Sequence, residues 1–167
     1  LKHVIILNGA PGAGKGTFAG FFDKQSTLKI SIVDSSKARA SGFFGWDGEK
    51  DAAGRKLISD LYQAAMAYNT EPLHGILVQA LDTQGATVII DVRDFRVIER
   101  LRKIVMLAGL KCTTVLVERP GAQEAAEAEG LEADINTPDH KYGVRLANNG
   151  TVEEFWERVA PMFKELK

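Results

Sequence analysis

Short apolar runs alternate along this chain with longer stretches of helical spacing. The run His3-Val4-Ile5-Ile6-Leu7 ends in a glycine-rich turn, the pattern of a strand buried on both faces. A helix is expected from about Lys15, with Phe18, Phe21 and Phe22 on its inner side. Leu28 to Val33 reads as a second strand, and Asp34-Ser35-Ser36 offers an N-cap to a short helix. Residues 51–68 have helical spacing, with Leu57, Ile58, Leu61, Ala65 and Tyr68 on one stripe. Pro72 suits the first turn of a further helix running toward Leu81. Thr87-Val88-Ile89-Ile90-Asp91 is a third strand, followed by a helix with Val97, Ile98, Leu101, Ile104 and Val105 facing inward. Cys112 to Val117 is a fourth strand, and Tyr142 to Leu146 a shorter fifth. The last helix opens on Thr151-Val152-Glu153-Glu154, a capping box, and turns Val152, Phe155, Trp156, Val159 and Phe163 inward.

Strands separated by helices imply an α/β fold of three layers: a five-stranded parallel sheet with helices on both faces. Ligands of such sheets bind at the carboxyl ends of the strands. At 167 residues the chain is expected to form a single domain, 1–167. Its 21 basic and 22 acidic residues nearly balance, which argues against bulk nucleic-acid binding or adhesion to an anionic membrane. No apolar run approaches the roughly 20 residues of a membrane span, and no basic-then-apolar leader is expected from the residues given. Cys112 is the single cysteine, so no internal disulfide forms, in keeping with a reducing, cytoplasmic setting. His3, His74 and His140 have no metal-ligand spacing and are assigned no chemistry.

Chemistry enters at Gly9-Ala10-Pro11-Gly12-Ala13-Gly14-Lys15-Gly16-Thr17, between the first strand and the first helix. Glycines at 9, 12 and 14 permit a tight loop whose backbone N–H groups surround an anion. Lys15 adds a full charge for the outer phosphates of a triphosphate. Gly12, Ala13, Gly14, Lys15, Gly16 and Thr17 are therefore the candidate nucleotide-binding residues. Gly16 stands where such loops usually carry Ser or Thr for Mg²⁺, so Thr17 is the available hydroxyl and much of the ion's shell falls to phosphates and water. Asp91, at the end of an apolar strand, is the second candidate for metal or its water shell.

The string GAPGAGKGT resembles the loop of adenylate kinases and related nucleoside monophosphate kinases. Asp91-Val92-Arg93, Val117-Glu118-Arg119-Pro120-Gly121 and Asn148-Asn149-Gly150-Thr151-Val152-Glu153-Glu154 look like blocks of phage-type deoxynucleoside monophosphate kinases, as does the W-x-x-x-K-D-x-x-x-R block of Trp46, Lys50, Asp51 and Arg55. In adenylate kinases Gly-Phe-Pro-Arg follows the strand-end Asp, whereas here Arg93 comes two residues after it. The resemblance implies the P-loop NTPase fold, ATP and Mg²⁺ as cofactors, and transfer of the γ-phosphoryl group to a nucleoside or deoxynucleoside monophosphate. It implies an acceptor-side insertion at about 34–70, with Lys37, Arg39, Arg55 and Arg93 toward the acceptor phosphate. It also implies a short lid-like segment at about 119–141, with Arg93 and Arg119 on the transition-state charge and Asn149 near the donor adenine.

One segment departs from that pattern. From Pro120 to Asp139 there are six acids (Glu124, Glu127, Glu129, Glu132, Asp134, Asp139) and no lysine or arginine. Two further readings therefore stay open: a P-loop kinase for a non-nucleotide metabolite or nucleic-acid end, and a nucleotide-binding module without turnover. Trp46 and the pair Phe43-Phe44 are equally compatible with stacking on an acceptor base and with a small core. The partners expected are nucleotides, and the oligomeric state a monomer or weak dimer.

Overall fold

The computed structural model describes residues 3–22, 26–49, 51–68, 75–76, 78, 82, 87–128 and 140–165. Its strands are β1 (His3–Asn8), β2 (Thr27–Ser31), β3 (Thr87–Asp91), β4 (Lys111–Glu118) and β5 (Val144–Ala147). Its helices are α1 (Lys15–Gly20), α2 (Asp34–Phe44), α3 (Ala52–Tyr68), α4 (Phe95–Leu107), α5 (Ala122–Ala128) and α6 (Val152–Glu165). The strands form one parallel sheet in the order β2-β3-β1-β4-β5. The helix expected from Pro72 toward Leu81 lies mostly outside the described residues, and Lys50, Glu129, Glu132, Asp134 and Asp139 lie wholly outside them.

The chain divides into two compact units, residues 1–29 with 84–167, and residues 30–83. In the first, β1 is the central strand and is buried along its whole length. Alternation on a strand sends Ile5 and Leu7 to one face, where they share a core with Ile89, Val115, Val117, Phe18, Phe22, Phe155, Val159 and Met162. That face is covered by α1 and α6. Val4, Ile6, Val88, Ile90 and Leu116 point the other way and are equally buried. There α4 packs on β1 and β4, with Val97, Ile98, Leu101 and Val105 as its buried stripe. Each fully buried Ile, Leu or Val contributes roughly 1.5–3 kcal/mol, and this core fixes the strand ends that carry the candidate site.

Local signals set the helix starts. Thr151 N–H donates to Glu154 Oε2 at 2.8 Å and Glu154 N–H to Thr151 Oγ1 at 3.2 Å, the reciprocal capping box that the sequence predicts. Asp94 caps α4, its Oδ1 accepting from Arg96 N–H at 2.9 Å.

In the second unit Asp34 is not an N-cap. It lies in the first turn of α2, accepts the Ser31 N–H at 2.7 Å, and so ends β2 before Ile32 and Val33. Asp51 Oδ1 accepts the Gly54 N–H at 2.7 Å at the start of α3. Trp46 donates its indole N–H to Glu49 O at 2.8 Å, and a side chain at position 54 would collide with that indole. Trp46 is thus a structural plug on α3, whereas Phe43 and Phe44 are exposed.

Four expected inward positions turn outward. Tyr68 is 92% exposed, Val152 56%, Ile104 41% and Trp156 40%. Each sits at an end or edge of its helical stripe, and helical period assigns a face without saying how far along it the covering layer extends. In α6 the buried stripe runs through Phe155, Val159 and Met162, while Trp156 lies at its border against Phe21 and Phe163. β5 begins two residues later than expected, after Gly143 N–H donates to Thr114 Oγ1 at 2.9 Å.

Candidate functional site

The loop from Gly9 to Gly14 leaves the end of β1 and enters α1. Two of its glycines are required by geometry. Gly9 has φ +150° and lies against the Val117 carbonyl, where a Cβ would clash with backbone; Gly14 has φ +107° and lies against the Asn148 side chain. The loop's carbonyls are bound from within the chain. Ala10 O accepts the Ala13 N–H at 3.1 Å, and the Lys15 ammonium donates to Gly9 O and to Ala10 O. Ala13 O accepts from Asn148 Nδ2 at 2.8 Å. Gly16 and Thr17 are exposed on the first turn of α1.

Parallel register brings the second acid to the same edge. Leu7 is opposite Asp91, and Val92 N–H donates to Leu7 O at 2.9 Å, so β3 ends beside the root of the loop. Asp91 Oδ1 is buried and accepts no hydrogen bond among the described residues. A buried carboxylate oxygen without a donor is costly unless a cation or water satisfies it. That fits Mg²⁺, a hard ion that takes oxygen ligands and keeps much of its water. Among the described residues no group of three His, Cys, Asp or Glu side chains gathers to form an all-protein metal cage.

Asn8 is the junction of this edge. It is fully buried; its Oδ1 accepts the Gly9 N–H, and its Nδ2 donates to Arg93 O at 3.2 Å and to Tyr142 Oη at 3.0 Å. The main chain carrying Arg93 is therefore tied to the base of the phosphate loop. Burial pushes the Tyr142 phenol up to about 12, against the opposing effects of Asn8 and Arg145, so it is neutral at physiological pH. Next to it, His140 meets the Tyr142 ring edge-on at 5.0 Å, with Nε2 3.3 Å from Glu99 Oε1.

On the other side of the loop, a cleft of about 290 Å³ opens between Ala10, Ala13, the end of β4, the start of α5, Ala147 and Asn149. Arg119 lines it, as do Glu118 and Glu124. Glu118 is engaged by Arg145, whose Nη2 lies 2.8 Å and Nε 3.2 Å from its two oxygens. Arg158 reaches back from α6 and donates through Nη1 to Ala147 O and Asn149 Oδ1, which fixes the turn on which Asn149 sits.

The first unit thus carries Lys15, Gly12 to Thr17, Asp91, Arg93, Arg119 and Asn149 on the carboxyl edge of one sheet. Lys37, Arg39 and Arg55 belong to the second unit, with Lys37 and Arg39 on α2 and Arg55 on α3. Lys37 Nζ pairs with Asp34 Oδ1 at 2.7 Å, an exposed i,i+3 contact of the kind worth about 0–1 kcal/mol. Sequence reasoning missed Asn8, Tyr142, Asn148 as a brace, and Arg158. Asn8 had a readable signal: a polar amide closing an otherwise apolar, fully buried strand.

No protein-family model and no curated protein matches the sequence. Solved structures do. The chain is similar to the Mycobacterium tuberculosis APS kinase in complex with AMPPNP and APS, at 14% identity over 98% of both chains and a TM-score of 0.51. It is similar to dephospho-CoA kinase from Campylobacter jejuni, at 14% identity over 99% of this chain and 98% of that one, with a TM-score of 0.55. It is also similar to the Deinococcus radiodurans tunicamycin resistance protein, at 14% identity over 98% and 96%, with a TM-score of 0.58. At such identities the likeness is one of fold: a five-stranded parallel sheet with helices, the fold these kinase structures share. No helix among the described residues is long and apolar enough to cross a membrane.

Proposed function

We propose that this chain is an ATP-dependent phosphotransferase whose acceptor is a nucleoside or deoxynucleoside monophosphate. The observation that carries the phosphotransfer reading is the pairing of the Lys15 loop with Asp91 across adjacent strand ends, the latter with a buried, unsatisfied carboxylate oxygen. The acceptor reading rests on the resemblance of the Asp91-Val92-Arg93, Val117 to Gly121 and Asn148 to Glu154 blocks to deoxynucleoside monophosphate kinases.

An acceptor phosphate oxygen attacks the γ-phosphorus of ATP, the bond from that phosphorus to the β,γ-bridging oxygen breaks, and ADP leaves. Catalysis of this step is mostly positioning and charge stabilisation. The loop amides and Lys15 bind the polyphosphate, and Arg93 and Arg119 face the charge that spreads over the transferring group. Arg39, Arg55 and Lys37 bind the acceptor phosphate, and the Lys37–Asp34 pair is weak enough to exchange for it. The cleft beside Asn149 takes the donor base. Asp91, through water, and the Thr17 hydroxyl would hold Mg²⁺, which would supply charge neutralisation to the polyphosphate.

The test is a coupled ADP-release screen with ATP·Mg²⁺ against every ribo- and deoxyribonucleoside monophosphate. Stimulation by one or a few of them supports the reading. Silence across all of them, with turnover on a sugar, sulfate ester or nucleic-acid end, assigns the chain to another kinase class. ATP binding without ADP formation under any condition points to a binding module, a reading that Glu118 and Glu124 in the cleft would favour.

A further inference from the structure

Anion-binding loops face a hazard of their own making. Glycines at positive φ let the loop close, but they also let adjacent peptide planes rotate, and a rotated plane presents a carbonyl oxygen to the anion. In this loop the carbonyls of Gly9 and Ala10 are occupied by the Lys15 ammonium, and that of Ala10 also by the Ala13 N–H. The Ala13–Gly14 plane can also turn, because Gly14, like Gly9 and Gly12, has positive φ. Its carbonyl is bound from outside the loop, by a residue 135 positions away: Asn148 Nδ2 donates to Ala13 O at 2.8 Å.

Asn148 is itself anchored. It follows β5 directly, and its own N–H donates to Glu118 O at 2.7 Å at the end of β4. Its amide lies so close to Gly14 that any Cβ there would collide with Nδ2. Gly14 and Asn148 are thus a matched pair: the missing side chain at 14 makes the room that the amide fills. A trans peptide is planar, with its C=O and N–H opposed. Holding Ala13 O toward Asn148 therefore aims the Gly14 N–H away from it, as an anion-binding loop requires.

We propose that Asn148 is a positioning residue of the phosphate site, locking the Ala13–Gly14 peptide so that its N–H rather than its carbonyl meets a bound polyphosphate. This rests on the phosphotransferase reading and extends it to a residue just past the edge strand β5, assigned no phosphate contact of its own.

The experiment uses the full chain with inorganic tripolyphosphate and with ATP as probes. Losing one hydrogen bond of this kind corresponds to about a 3–10-fold effect, so Asn148→Ala should bind both probes about 3–10-fold more weakly. Asn148→Asp, which puts a carboxylate against Ala13 O, should bind them more weakly still. In ¹⁵N spectra the Gly14 amide should shift on adding tripolyphosphate to the wild type and shift much less in Asn148→Ala. A merely structural role would lower thermal stability and leave that amide response intact. Should the variants not fold, the wild type alone decides: slow exchange of the Asn148 side-chain amide protons and a Gly14 shift support the proposal, and absence of either overturns it. Equal affinities for wild type and Asn148→Ala overturn it while leaving the phosphotransferase reading in place. Failure of the wild type to bind either probe overturns both.

Discussion

Replacing Asn8 with alanine removes a buried polar side chain that ties three parts of the candidate site together. Asn8 is fully buried, and its amide makes three hydrogen bonds, to Gly9 N–H, Arg93 O and Tyr142 Oη. At about 0.5–1.5 kcal/mol net for each, Asn8→Ala should cost about 2–4 kcal/mol, because no water has free access to the groups left behind. For a chain of this length that corresponds to a fall in Tm of roughly 5–15 °C. Tyr142→Phe keeps the ring and removes one of the three bonds, so it should cost about 0.5–1.5 kcal/mol. The two residues share that bond, so the double variant should be less destabilised than the sum of the singles by about 0.5–1.5 kcal/mol. Urea unfolding with an unchanged m-value would measure all four corners of the cycle. If Asn8→Ala costs less than about 0.5 kcal/mol, or the two changes add, Asn8 is not the junction described here. Loss of ATP affinity should accompany loss of stability in Asn8→Ala, because the same amide holds the first residue of the phosphate loop.

Lys15→Ala should lower turnover by about 10²–10³, the scale for removing one preorganised charge-stabilising donor, measured as ADP release at saturating acceptor; an unchanged rate removes Lys15 from the reaction. Asp91→Asn should raise the Mg²⁺ concentration needed for half-maximal activity while leaving the fold intact, and an unaltered Mg²⁺ dependence would contradict its role. Burial pushes the Cys112 thiol up to about 11, with Arg102 opposing and Glu99 adding to the shift. The folded state thus holds that proton more tightly than the unfolded chain. Its contribution to stability is complete below the ordinary thiol range and is lost as pH rises from about 9 toward 11. Thiol-reagent kinetics at pH 8 should accordingly be slow in the native protein and fast in urea; rapid native labelling would refute the burial argument.

How much of this was readable in the sequence depended on distance along the chain. The phosphate loop, the Thr151–Glu154 capping box and the apolar strands β1, β3 and β4 are local requirements, met by residues within a few positions of one another. The helical stripes were readable as faces, but not their margins. Tyr68 and Ile104 sit on the periodic face, yet sequence spacing contains nothing about where the covering layer stops. The braces of the site were the least legible. Asn148 meets Ala13 across 135 residues and Asn8 meets Tyr142 across 134, contacts that exist only once the sheet has ordered its strands. Arg158 is one more charge on the last helix in the sequence, and only the fold shows it turned back onto Asn149. Lys37, Arg39 and Arg55 were read as acceptor cations from resemblance, and the structure pairs Lys37 with Asp34 three residues earlier.

The most direct test of the central claim follows the phosphoryl group itself. With ATP labelled at the γ-phosphorus, Mg²⁺ and a mixture of nucleoside and deoxynucleoside monophosphates, label should appear in a nucleoside diphosphate other than ADP formed from the donor. It should disappear from that product in Lys15→Ala. Label that remains in ATP or is released only as inorganic phosphate, with every monophosphate unchanged, would contradict the assignment of this chain as a nucleotide phosphotransferase.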